Sequence, residues 1–131
     1  MIVLDTHVII WNALSPDKIS EKAKESISQA NQGDGIFLCD ISLWEIAMLM
    51  KKKRIKVDID YQSFIRLILD SNKYIIHGIT AEVAERSVSF SDTINKDPAD
   101  RIIAATSIHT NAPLLTADDN LIKAPEITTI W

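Results

Sequence analysis

Four carboxylates scattered along the chain, Asp5, Glu45, Asp100 and Asp118, stand just beyond short apolar runs or close to the starts of helical patterns. Acids so far apart in sequence act together only if the fold gathers them. Gathered into one crevice they repel, and each pair about 5 Å apart costs roughly 3 kcal/mol at an effective dielectric near 20. Such a cluster demands a cation or raised pKa values. Carboxylate oxygens without thiolates or paired histidines suit Mg²⁺ or Mn²⁺ and not zinc. A hard divalent ion held this way polarises a phosphoryl oxygen and activates water, so the chemistry pointed to is hydrolysis of a phosphodiester.

Each acid also has a purely structural reading. Glu45 completes Ser42-x-x-Glu45, the pattern of a capping box. Asp100 falls in the first turn of a helix, where the dipole favours any acid, and Asp97 before Pro98 reads as the N-cap of that helix. Asp118 and its neighbour Asp119 suit a turn. Asp5 is the hardest to explain structurally, because a carboxylate directly after a buried strand is costly unless paired or metal-bound.

The elements that must position these acids follow from short apolar runs and caps. Ile2–Leu4, Ile36–Cys39, Tyr74–Ile76, Leu114–Thr116 and Thr128–Trp131 read as strands. Between them lie helical patterns: one through Trp11 and Leu14, one capped by Ser20, one from Asp40–Ser42 that ends in Lys51-Lys52-Lys53-Arg54, and others capped by Asp60, Thr80 and Asp97. Strands alternating with helices predict a three-layer α/β/α fold around a mainly parallel sheet of four to five strands. In such sheets the functional crevice lies outside the carboxyl ends of the strands, which is where Asp5, Glu45, Asp100 and Asp118 would meet.

Composition narrows the alternatives. The 131 residues, 47% hydrophobic and 24% charged, suit a single packed domain over 1–131. The formal charge of -4 argues against coating nucleic acid by charge alone. Cys39, the one cysteine, excludes intrachain disulfides and thiolate zinc sites and reads as a core residue. Only three glycines are present, too few and too scattered for a dinucleotide fingerprint, a P-loop or a Gly-x-Ser-x-Gly elbow. No signal peptide or membrane-length apolar segment is visible, so a cytoplasmic protein is expected.

Taken together, Val3-Leu4-Asp5-Thr6-His7 with Trp11, Ile41-Ser42-Leu43-Trp44-Glu45-Ile46-Ala47, Asp97-Pro98-Ala99-Asp100-Arg101-Ile102-Ile103-Ala104-Ala105 and Leu114-Leu115-Thr116-Ala117-Asp118 closely resemble the PIN domain, nearest to VapC-type toxins. The resemblance covers essentially the whole chain. It implies a Mg²⁺- or Mn²⁺-dependent endoribonuclease with Asp5, Glu45, Asp100 and Asp118 as its catalytic, metal-holding quartet, supported by hydrogen bonds from Thr6 and Thr116. It also implies an RNA substrate, a homodimer and a small antitoxin partner. Asp119 remains a second candidate for the fourth acid.

His7 reads as a packing or hydrogen-bonding residue, and Trp11 and Trp44 as core or dimer contacts, with base stacking as the other reading. Lys51 to Lys56 holds five cations in six residues, either a solvated helix end or a phosphate-gripping patch near Glu45 in which Lys51, Lys52, Lys53 and Arg54 touch RNA. Two other functions would use the same fold. An inactive PIN-like module would bind RNA without cutting it, and a phosphoryl-accepting domain would use an acidic pocket, to which Asp58-Ile59-Asp60 bears a superficial likeness.

Overall fold

The computed structural model describes all residues, Met1–Trp131. Five strands, β1 (Ile2–Leu4), β2 (Ile36–Cys39), β3 (Tyr74–His77), β4 (Leu114–Leu115) and β5 (Thr129–Ile130), form one sheet in the order β3-β2-β1-β4-β5, every neighbouring pair parallel. The helices are α1 (Thr6–Leu14), α2 (Glu21–Gln32), α3 (Asp40–Lys51), α4 (Tyr61–Ser71), α5 (Ala81–Ser89), α6 (Pro98–Thr110) and α7 (Asp119–Lys123).

The strands are apolar on both faces because helices cover both. Ile2, Leu4, Ile36, Leu38 and Leu115 point to one side, where they pack with Val8, Ile9, Ile27, Ile46, Phe64 and Ile68 of α1 to α4. Val3, Cys39 and Leu114 point to the other and meet Ile103, Ala104 and Leu121 of α6 and α7. Burial of each Val, Leu, Ile or Phe side chain in these two cores contributes about 1.5–3 kcal/mol. The Cys39 thiol lies in this second core, where burial pushes its pKa up to about 12, so it is an unreactive packing group.

The strand order reverses direction at β1, which has β2 on one side and β4 on the other. A crevice opens at such a switch point outside the carboxyl ends of the strands. Asp5 follows β1 there, and Asp118 follows β4.

The caps at Ser20, Asp60, Thr80 and Asp97 each accept a backbone N–H in the first turn, as their spacing predicts. The capping box at Ser42-x-x-Glu45 does not form. Helix α3 starts at Asp40 directly after Cys39, so Ser42 is already inside it and both side chains are free to turn elsewhere. Asp58-Ile59-Asp60 follows no strand and so does not stand at the carboxyl edge of the sheet, which removes the phosphoryl-acceptor likeness; Asp60 caps α4 through Ser63 N at 2.9 Å.

Candidate active site

Asp5 is only 3% exposed and both its oxygens are committed. Oδ1 accepts the Thr6 N–H at 2.8 Å, which caps α1, and Oδ2 accepts the Thr116 hydroxyl at 2.7 Å. Thr116, fully buried, in turn accepts the Asp118 N–H at 3.0 Å. One threonine therefore ties the acid after β1 to the acid after β4.

A second hydroxyl chain serves Glu45. Thr6 Oγ1 donates to Glu45 Oε1 at 2.5 Å, and since a hydroxyl has one proton, Ser42 Oγ at 2.8 Å is the donor to Thr6. The helical position of Ser42 one turn before Glu45 makes this possible. Burial, then the charges of Asp5 and Asp97, raise the Glu45 pKa, while the Thr6 hydroxyl works against them.

Asp100 is reached from the first turn of α6, whose N-cap Asp97 accepts the Ala99 and Asp100 N–H groups at 2.9 and 3.3 Å. Its Oδ2 accepts from Asn95 Nδ2 at 3.0 Å. Burial first, then the charge of Asp5, with smaller contributions from Asp97 and Asp118, push its pKa from the ordinary 3.8 to about 7 against the lowering effect of Asn95. Asp118, not Asp119, is the acid whose charge reaches Asp100. Asp118 Oδ1 caps α7 through Asn120 N and Leu121 N, whereas Asp119 is exposed in its first turn.

The fold thus brings Asp5, Glu45, Asp100 and Asp118 to one edge, with Thr6 and Thr116 beneath them. No lysine or arginine pairs with any of these acids. The chain's one lysine or arginine ion pair joins Lys24 to Glu21, and His7 Nδ1 lies 3.5 Å from Asp5 Oδ2. The donor set is all carboxylate, and the charge of Asp5 raises the pKa of both Glu45 and Asp100, which fits a hard divalent cation; as placed, no three acidic side chains form a ready coordination shell.

Further supports surround the acids, and those made by Arg101, Asn95 and Asn120 carry no sequence signal. Arg101 donates to four backbone carbonyls, those of Phe90, Ser91, Ile94 and Asn95, and so clamps the loop that presents Asn95 to Asp100. Asn95 N–H donates to Asn120 Oδ1 at 2.8 Å, joining that loop to α7. His7 Nε2 accepts the Ala117 N–H at 3.0 Å and its ring packs edge-on against Trp11 at 4.9 Å, the hydrogen-bonding and packing role expected of it. Trp11 joins the core margin, but Trp44 is 59% exposed and no core residue.

The basic run closes the same helix that carries Glu45. Lys51 is six residues beyond Glu45, about 9 Å along the helix axis at 1.5 Å per residue. Lys53, with φ of 57°, terminates α3 in the left-handed conformation, with Arg54 N donating to Leu49 O at 2.9 Å and Lys53 N to Met50 O at 3.1 Å. Lys51, Lys52, Lys53 and Arg54 are all exposed.

No helix is long and apolar enough to cross a membrane. The family model described as the PIN domain matches residues 2–127. Ribonuclease VapC22 of Mycobacterium tuberculosis is 32% identical over 132 aligned residues, covering 99% of this chain and 98% of the relative. Among solved structures, VapBC2 from Rickettsia felis bound to a promoter DNA fragment contains a chain with TM-score 0.74 at 17% identity, covering 99% of this chain and 98% of that one. A toxin–antitoxin complex from Klebsiella pneumoniae contains another, with TM-score 0.66, 20% identity and coverage of 98% and 97%. With its fold, its acidic edge and near full-length likeness in agreement, the chain belongs to the PIN-domain family.

Proposed function

We propose that this chain is an endoribonuclease of the VapC type, cutting RNA phosphodiesters at the edge formed by Asp5, Glu45, Asp100 and Asp118. The observation that carries this reading is the cluster itself. Carboxylates from four separate elements converge at the sheet's switch point without lysine or arginine partners, and one of them is pushed to about 7. Mg²⁺ or Mn²⁺ held by those four acids would supply charge neutralisation of the phosphate and activation of water. Thr116 holds Asp5 and the Asp118 backbone together, Thr6 and Ser42 orient Glu45, and Asn95 orients Asp100. Each acid is thereby fixed before substrate arrives.

Likeness to VapC22 and to chains of solved toxin–antitoxin complexes supports a toxin restrained by a small antitoxin; that the one-domain chain acts in the cytoplasm as a homodimer is part of the same proposal. The decisive experiment is cleavage of single-stranded RNA with Mn²⁺ and with EDTA. Cleavage only with metal, leaving 5'-phosphate and 3'-hydroxyl ends, is expected, because the site has no histidine pair to drive 2'-hydroxyl chemistry. Ends bearing a 2',3'-cyclic phosphate would overturn the mechanism, and RNA bound but never cut would favour the inactive module.

The exposed cations at the end of α3 are proposed to grip phosphates of the bound RNA. Replacing Lys51, Lys52 and Lys53 by Gln is expected to weaken RNA binding and reduce the slope of log Kd against log salt by up to about 0.7 per lost contact on a single strand. An unchanged slope returns the run to its service as a helix terminus.

A further inference from the structure

Beside the acids lies a groove of about 540 Å³ that the catalytic reading leaves unexplained. One wall is a face of α3 carrying Ile41, Trp44, Glu45 and Met48, and the other is the turn Asp97-Pro98-Ala99 that opens α6. Trp44 is 59% exposed, and no aromatic ring or cation covers its indole, unlike Trp11, which meets Trp131 and Lys18. Of the chain's phenylalanines, tyrosines and tryptophans, Trp44 alone is exposed, and it stands next to Glu45 at the acidic edge.

We propose that this groove is a subsite for an unpaired RNA base next to the scissile phosphate, with the Trp44 indole as its stacking face. The proposal rests on the ribonuclease reading and names the form of RNA it acts on. Glu45 lines both the groove and the acidic edge, so a phosphodiester held at the edge puts its neighbouring nucleotide at the groove's mouth. The rim acids Glu45 and Asp97 repel a phosphate but complement the N–H donors on a base edge. Ile41, Met48 and Pro98 supply apolar contact for the rest of the ring. Every base has a flat face, so stacking selects for single strands over duplex more than for one sequence.

The test compares wild type with Trp44→Ala and Trp44→Phe on a short single-stranded oligoribonucleotide and on the same strand with an abasic nucleotide beside the cleavage site. Stacking on an aromatic side chain contributes about 5- to 150-fold in binding. Trp44→Ala should weaken the intact strand by an amount in that range, Trp44→Phe should restore most of it, and on the abasic strand Trp44→Ala should cost nothing further. A 2-aminopurine at the same position should be quenched by wild type and Trp44→Phe but not by Trp44→Ala. Equal, independent losses from the variant and the abasic site would overturn the proposal, as would unchanged RNA binding together with lost binding of a protein partner. Wild-type protein that cuts no RNA with Mn²⁺ would instead sink the ribonuclease reading beneath it.

Discussion

Asp100→Asn is expected to abolish RNA cleavage and, in EDTA at pH 8, to make the protein more stable than wild type. Loss of one preorganised electrostatic group costs about 10²–10³ in rate. The stability gain comes from the same cause as the raised pKa: a half-buried carboxylate facing Asp5, Asp97 and Asp118 is strained as an anion, and an amide is not. The sign with pH follows. Asp100 takes up its proton near 7 when folded and near 3.8 when unfolded, so between those values the folded state binds more protons and stability falls as pH rises. The advantage of the variant should therefore be full above pH 7 and shrink towards pH 4. Mn²⁺ should raise the melting temperature of wild type and do so much less for the variant, since stabilisation by a ligand requires binding to the folded state. A first-turn acid serving only the helix dipole predicts the reverse, a variant weaker by a few tenths to about 1 kcal/mol in EDTA and equally stabilised by Mn²⁺. Melts of both proteins with EDTA and with Mn²⁺ at pH 5 and 8 separate the two.

What could be read in the sequence was what local chemistry dictates. Runs such as Ile2–Leu4 and Ile36–Cys39 are too short and too apolar to be anything but buried strands between helical layers, and Ser20, Asp60, Thr80 and Asp97 cap because their side chains reach the backbone three residues on. Ser42 misled because the same spacing that makes a capping box also puts two side chains on one helix face, and the start of α3 at Asp40 decides between them. The basic run was legible as a helix end, and Lys53 closes α3 in the left-handed conformation. Asn95, Arg101 and Asn120 were invisible for a different reason. Their partners are backbone carbonyls and side chains brought near by tertiary packing, and a polar loop such as Ser89–Lys96 looks the same whether it is clamped or free. The choice of Asp118 over Asp119 likewise awaited the cap of α7 and the hydrogen bond from its N–H to Thr116.

Asp5→Ala should also abolish cleavage, but it should lower stability where Asp100→Asn raises it. Its carboxylate satisfies two buried donors, the Thr6 N–H and the Thr116 hydroxyl. Losing the cap costs about 1 kcal/mol, and an orphaned buried hydroxyl costs about 1–3 kcal/mol. Against this stands the relief of repulsion with Asp100, which is comparable in size when both are ionised. The two effects separate at pH 6, where Asp100 with its pKa of about 7 mostly carries its proton, so little repulsion is left to relieve. There the lost hydrogen bonds dominate, and the melting temperature in EDTA should fall by roughly 5–15 °C for a chain of this size. At pH 8 the fall should be smaller. Asp5→Asn should sit between, since its amide oxygen still serves Thr6 N while its NH₂ leaves the Thr116 proton without an acceptor. Combining Asp5→Ala with Thr116→Val closes the cycle: once the hydroxyl is gone, removing Asp5 should cost about 1–2 kcal/mol less than it does in wild type. Strict additivity would mean that the Thr116 hydroxyl does not hold Asp5, and the tie between the ends of β1 and β4 would have to come from His7 and the Ala117 N–H instead.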